Sequence, residues 1–247
     1  MIKLISHCHS YHSFDSRLPV ESIISQMISQ DANAVIINDH DEFSLTSAEV
    51  QLFKKNNFHV FNGIEFTTSE GVHVIGVHAD ICKLQQAPFT YSLITLMEKL
   101  SSFEAKILFP HPYHATGVYG NKNINIALFE KAISFANAYE VDNYRYGKTP
   151  EKLISTIESI NKNAIKLIGS DAHKTNEVGA FVNIYNSVVS ESLLDSIFSQ
   201  QPIYKYNKKR TALYFFFKKF QKSSFYQKVI GLLDSGTRKK IKSFLKI

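Results

Sequence analysis

Short apolar runs in this chain repeatedly end in side chains that bind metal ions. Ile2-Lys3-Leu4-Ile5 leads into His7 and His9, and the run 34–37 leads into Asp39-His40. Val60-Phe61 precedes Glu65, the run 107–109 precedes His111, and the run 165–168 precedes Asp171-Ala172-His173. A strand holds alternate side chains on one face, so His7 and His9 point the same way while Cys8 turns to the other. Cys8 reads as a small buried hydrophobe. Imidazole and carboxylate are ligands that zinc, manganese and iron accept. Five such placements in register with strand ends describe a site, and they restrict the fold to one in which those ends meet.

The apolar runs alternate with segments of helical period, the pattern of parallel βα units. Strands are expected near 2–6, 34–38, 59–64, 72–77, 106–110, 137–141 and 165–169. Helices are expected near 19–30, 45–55, 91–103, 124–135, 149–161 and 190–199. Pro19 and Pro150 each open a helix, where the missing N–H costs nothing. Ser69-Glu70-Gly71 lies between two strand patterns and reads as a hairpin-type turn. Function sits at the carboxyl ends of parallel strands in barrels and open sheets alike. Only a barrel mouth lets the ends of strands one, two, three, five and seven converge, so a distorted seven-unit (β/α)7 TIM-like barrel is expected.

The 247 residues suit one α/β domain followed by a tail. No run of about 18 apolar residues occurs, and the first residues show no basic-then-apolar signal pattern, so a cytoplasmic protein is expected. The two cysteines, Cys8 and Cys82, give no disulfide framework. The net charge of +6 conceals an asymmetry: thirteen Lys or Arg and one acid, Asp234, lie from Lys205 to Ile247, giving +12 there and −6 over residues 1–204. The acidic part, 1–204, is the expected barrel. Residues 205–247 form a basic, aromatic-rich extension, read as mostly helical.

In order, the chemistry-bearing set is His7-x-His9, Asp15, Asp39-His40, Gly63-Ile64-Glu65, His73-Val74-Ile75-Gly76, His111-Pro112, Glu140-x-x-Asn143-x-Arg145 and Ser170-Asp171-Ala172-His173. Over residues 1–204 this closely resembles the polymerase and histidinol phosphatase (PHP) domain, a family of metal-dependent phosphoesterases. The resemblance implies a distorted seven-unit barrel with two or three divalent metal ions at its mouth, zinc, manganese or iron. It implies that His7 and His9 share one ion with Glu65 and Asp171. Glu65 would bridge to a second ion held by His73 and His111, and Asp15, His40 and His173 would hold a third. His12 is an alternative to Asp15, and His78 to His73; a strand points His73 and His78 to opposite faces, so one of them reaches the site.

Closely spaced divalent ions suit cleavage of phosphate esters, with a metal-bound hydroxide as the nucleophile. Arg145 at the sixth strand end is placed to grip a phosphate, and with Asp171 and His173 it completes the catalytic candidates. No Ser-His-Asp arrangement and no Gly-rich phosphate loop competes. The expected activity is hydrolysis of a small phosphomonoester, since the segment between His78 and His111 leaves room for about one helix and no inserted domain. The alternatives are a nucleotide- or oligonucleotide-cleaving enzyme and a catalytically silent metal-binding module. Tyr11, Tyr144, Tyr146 and Lys174 are candidates to line the pocket, and His114 is close enough to touch substrate. Asp39 reads as a carboxylate that orients an imidazole, Asp41 as a helix N-cap, and His59 as a surface residue.

Residues 205–247 are expected to be amphipathic helices packed on the barrel. Contact with an anionic membrane surface is the second reading, and contact with nucleic acid the third.

Overall fold

The computed structural model describes residues 1–43, 45–190 and 192–206. Seven strands close into a barrel. They are β1 (Ile2–Cys8), β2 (Ala34–His40), β3 (His59–Thr67), β4 (His73–Val77), β5 (Lys106–Phe109), β6 (Ala138–Asn143) and β8 (Ile165–Ala172). Each pairs with the next, and β8 returns to pair with β1. Six run parallel, while β4 is antiparallel to both of its neighbours. This strand is where the expected succession of parallel units breaks. The turn at Ser69-Glu70-Gly71 is too short for a helical crossover, so the chain can only reverse. The hairpin read at that turn is present, with Gly71 at φ +80.

Helices α1 (Val20–Gln30), α2 (Ser47–Lys55), α3 (Leu93–Ser102), α4 (Ile126–Ser134), α5 (Glu151–Ile160) and α6 (Leu193–Ile197) connect the strands. Pro19 and Pro150 precede α1 and α5 as expected. The cap of α2 is Thr46, whose side chain accepts from Glu49 N while the Glu49 carboxylate returns to Thr46 N. Asp41 is therefore not the N-cap. Its carboxylate accepts instead from the Thr67 amide and hydroxyl, tying the end of β2 to the end of β3.

Three strands were absent from the expectation. The two-residue β7 (Gly147–Lys148) folds back on β6, β9 (Phe181–Tyr185) pairs antiparallel with Ile2–Leu4, and β10 (Ile203–Tyr206) pairs with β9. One edge of β1 is thus divided, with β9 on its first half and β8 on its second. The expected boundary at residue 204 falls within β10, and the rest of the basic segment lies outside the described residues.

Leu4, Ile36, Ile75, Leu108, Ala138 and Leu167 form one apolar cluster drawn from six of the seven barrel strands. Two further clusters fill the space between strands and helices, around Met97, Phe109 and Phe129 and around Met27, Val35 and Phe53. Toward the carboxyl end of β1 the buried residues become polar, with Ser6, His7 and His9 all inaccessible to solvent. No described helix is long and apolar enough to cross a membrane.

Candidate metal centre

Irregular backbone builds the site. The register of β1 shifts between Ile5 and Cys8 against β2 and between Ser6 and Cys8 against β8, and that of β6 against β8 shifts between Glu140 and Asp142. Bulges of this kind re-aim side chains next to functional sites. Three of the ligand-type residues carry positive φ without being glycine: His7 at 58, His111 at 30 and Asp171 at 46. Such conformations cost about 1–3 kcal/mol each and persist where the surroundings enforce them.

The two imidazoles of His7-x-His9 converge, their Nε2 atoms 3.1 Å apart. They do so across a bulge, with His7 in the left-handed region, and not through the plain alternation of a regular strand. Both face Glu65 Oε2, at 2.9 Å from His7 and 3.1 Å from His9, and both lie within 3.6 Å of Asp171 Oδ1. The other Glu65 oxygen, Oε1, faces His73 Nδ1 at 2.8 Å and His111 Nε2 at 3.4 Å. One buried carboxylate therefore presents its two oxygens to two separate imidazole pairs. His173 Nε2 lies 2.8 Å from Asp15 Oδ2, and His40 Nε2 lies 3.6 Å from the same atom.

All nine ligand-type residues expected from the sequence are brought to this one end of the barrel. Four groups among them place candidate ligand atoms within 4.8 Å of one another: His9-Asp15-His40-His173, His7-His111-Asp171, His7-His9-Glu65 and His40-Glu65-His73. His12 lies apart from them, its Nε2 3.0 Å from Glu49. His78 packs edge-on against Phe103 at the far end of β4. The reversal of β4 decides between the two histidines, because the first residue of an antiparallel strand lies at the mouth and His73 pairs with Thr67.

The electrostatics is that of a dense mixed cluster. Burial works to raise the Glu65 and Asp171 carboxyls, but the surrounding imidazoles, His7 foremost, outweigh it and hold both well below the usual carboxylate range. Burial works to lower His7, yet Asp171, Glu65 and Glu140 raise it. His9 is pushed down to about 3 by burial and by the neighbouring His173. Among the described residues the Nδ1 atoms of His9, His40 and His111 are buried without a hydrogen-bond partner. Divalent cations fit this set, since imidazole and carboxylate donors face inward and ions among them would complete the rings and neutralise the carboxylates.

Supporting groups surround the cluster. Glu140, wholly buried, places Oε1 2.8 Å from His7 Nδ1 and accepts at Oε2 from His111 N and Asn143 Nδ2. Glu177 accepts from His173 N and lies 3.4 Å from Arg145 Nη1. Asp39 was expected to orient an imidazole; its two oxygens accept from the Ser10 amide and hydroxyl, which anchors the loop that follows His9. No role for Glu177 was read from the sequence, because nothing in the string links it to Arg145.

A cavity of about 600 Å³ opens over the cluster. Arg145 and Tyr146 line it, as do Phe14, Phe89 and Gln85. Of the other expected pocket residues, Tyr144 is buried edge-on against Phe181, and Tyr11 donates to Glu49. Lys174 is exposed and not part of the cavity lining. His114 stacks on Tyr146 with ring centroids 3.8 Å apart. The exposed His59 opens β3.

No family profile matches the sequence, and no curated protein matches it. Among solved structures the chain is similar to PsfC from Pseudomonas syringae, with 16% identity, 89% of this chain and 97% of that one covered, and a TM-score of 0.61. It is also similar to a two-domain protein from Bacteroides vulgatus containing a predicted PHP-like metal-dependent phosphoesterase, with 14% identity, coverage of 83% and 64%, and a TM-score of 0.64. A candidate metal-dependent phosphoesterase from Bifidobacterium adolescentis gives 14% identity, coverage of 70% and 88%, and a TM-score of 0.52. The chain thus has the fold of PHP-like metal-dependent phosphoesterases, a closed seven-stranded α/β barrel, with imidazole and carboxylate side chains gathered at one mouth.

Proposed function

We propose that this protein is a metal-dependent hydrolase of the PHP type that cleaves the phosphate monoester of a small molecule. One observation carries the reading: nine imidazole and carboxylate residues converge at the mouth of the barrel, beneath a cavity that Arg145 lines. Bound divalent cations would supply an activated water near neutral pH and neutralise charge on the phosphoryl oxygens. His7, His9, Glu65 and Asp171 would hold one ion, with His73 and His111 on the second oxygen of Glu65 and Asp15, His40 and His173 around a third. Nitrogen and oxygen donors mixed in this way suit zinc, manganese or iron.

The chain's own residues bind and position. Arg145 offers a planar fork of donors to phosphoryl oxygens, and Glu177 supports the guanidinium from behind. The His173 imidazole is raised above its ordinary value: burial opposes this, but the hydrogen bond to Asp15 and the charge of Asp171 prevail. Asp171 and Glu65 stay ionised and keep the floor anionic.

The test is release of inorganic phosphate from a panel of small monoesters by protein loaded with manganese, zinc or iron. The reading expects turnover that chelation abolishes and that Asp171→Asn removes. Shortening of a labelled oligonucleotide without turnover of any monoester would replace it with the nuclease reading. Metal binding with neither activity would leave a silent metal-binding module.

A further inference from the structure

The cavity over the cluster is ionic at its floor, and above it Phe14, Phe89 and Tyr146 stand among polar residues such as Glu42, Gln85 and Gln86. Phe14 is 83% exposed and Phe89 is 60% exposed, although both line the same cavity as Glu65 and Asp171. Large apolar rings left in water are unfavourable in the free protein, and burying such surface is worth roughly 25 cal/mol per Å². Phe89 is also strained. Its φ is +64, a region that bulky side chains rarely enter, and its amide donates to Thr67 O at 2.8 Å, the last residue of β3. The loop between β4 and α3 is thus pinned at a conformational cost, and its Phe89 lines the same cavity as the candidate ligands. Phe14 precedes Asp15 and lies 5.2 Å from the His40 ring, while Tyr146 meets the His111 ring edge-on at 4.9 Å.

Resting on the hydrolase reading above, the geometry points to Phe14 and Phe89 as specificity-determining residues that bind a planar aromatic ring on the leaving group of the phosphomonoester. The cavity is larger than a phosphoryl group needs, and its size suits a drug-sized ligand. A ring two or three bonds from phosphorus would meet Phe14 and Phe89 when the phosphoryl oxygens reach Arg145 and the floor. Ring–ring contacts add to burial through offset or edge-to-face geometry. At Phe14 and Phe89 themselves a hydroxyl would meet a ring that offers it no hydrogen bond, whereas an aromatic leaving group gains contact there.

The test separates ring recognition from leaving-group chemistry. Benzyl phosphate and ethyl phosphate both release alkyl alcohols, so their KM values are compared for the metal-loaded enzyme and for Phe14→Ala, Phe89→Ala and Phe89→Tyr. Binding of benzylphosphonate and ethylphosphonate, which cannot turn over, is measured by calorimetry on the same proteins. The wild type is expected to favour the benzyl compounds about tenfold in KM and in affinity, each alanine variant to lose most of that ratio, and Phe89→Tyr to keep it. Equal affinity for the two phosphonates in the wild type, or an unchanged ratio in both alanine variants, overturns the inference whatever the turnover. A phenylalanine-dependent preference in phosphonate binding without turnover of any ester keeps the ring site and overturns the hydrolase reading alone.

Discussion

Glu140 Oε1 lies 2.8 Å from His7 Nδ1, with both side chains wholly buried. A carboxylate behind an imidazole fixes the ring's tautomer and orientation and raises its basicity toward whatever its other nitrogen faces. That nitrogen, His7 Nε2, is the one that meets Glu65, His9 and Asp171. Glu140 also holds the backbone of His111, so one residue of β6 braces ligand candidates from β1 and from the end of β5.

Room for that carboxylate comes from Gly169 on β8, where a methyl group would fall 1.8 Å from Glu140 Oε1. Gly169→Ala is therefore expected to displace Glu140 and release His7 without unfolding the barrel. Metal affinity should drop about 10- to 100-fold. Chelator competition measures the affinity, and far-ultraviolet circular dichroism checks that the fold is kept. Unchanged affinity in a folded Gly169→Ala protein would show that the Glu140 contact does not support the centre.

Ions that bind the folded chain and not the unfolded one stabilise it. At free metal about a hundred times Kd the gain is about 2.7 kcal/mol, and a domain of this size responds by about 2–4 °C per kcal/mol. Thermal unfolding with and without manganese or zinc should thus differ by about 5–10 °C in the wild type. In Asp171→Asn or Glu65→Gln the shift should largely vanish, with a matching fall in metal per chain by elemental analysis. A full shift in both variants would place the bound metal elsewhere.

Much of the site was legible because ligand chemistry is local to strand ends. His7, His40, Glu65, His111 and Asp171 each follow an apolar run, and a barrel is the arrangement that makes those runs meet. Two kinds of information were not in the pattern. The first is strand direction: β4 is as apolar as its neighbours, and only the short connection at Ser69-Glu70-Gly71 requires it to run backwards and carry His73 to the mouth. The second is contact between distant segments. Glu177 beside Arg145, Glu140 beneath His7, and Phe14 and Phe89 lining one cavity are pairings that no spacing encodes. Phe181–Tyr185 did carry a strand signal, five residues rich in aromatic and β-branched side chains, but its partner is the first half of β1, whose edge a simple barrel would have assigned wholly to β8.

Glu49 is predicted to anchor the loop that carries Asp15. Its carboxylate accepts from Thr46, Tyr11 and His12, and these bonds hold it down to about 2 although burial works to raise it from 4.5. A carboxyl depressed in the folded state contributes stability that is present above its unfolded value and lost as pH falls through its folded value. Glu49→Ala should cost about 2 kcal/mol at pH 7, from the lost cap and charge-assisted bonds. Urea denaturation should show that deficit shrinking once the pH falls below about 4.5. A deficit that stays constant down to pH 3 would mean that Glu49 acts through packing and not through its charge.

Asp142 carries the opposite sign. Burial, aided by Glu140 and opposed by Lys148, pushes its carboxyl from 3.8 up to about 6, and among the described residues Oδ1 is buried without a hydrogen-bond partner. A raised carboxyl contributes stability that is fully present below its unfolded value and is lost as the pH rises through the folded value. The ionised form is thus a liability near neutral pH that Asp142→Asn removes while keeping the shape. The variant should be more stable than the wild type at pH 7.5 by about 1–2 kcal/mol, after allowance for solvent screening of a partly open position. The gain should fade between about pH 6 and pH 4. Equal stability at pH 7.5 and pH 4, measured by urea denaturation of the two proteins side by side, would show that the β6 carboxylate finds compensation in the folded chain. A gain that persists at pH 4 would assign the effect to the amide's hydrogen bonding and not to charge.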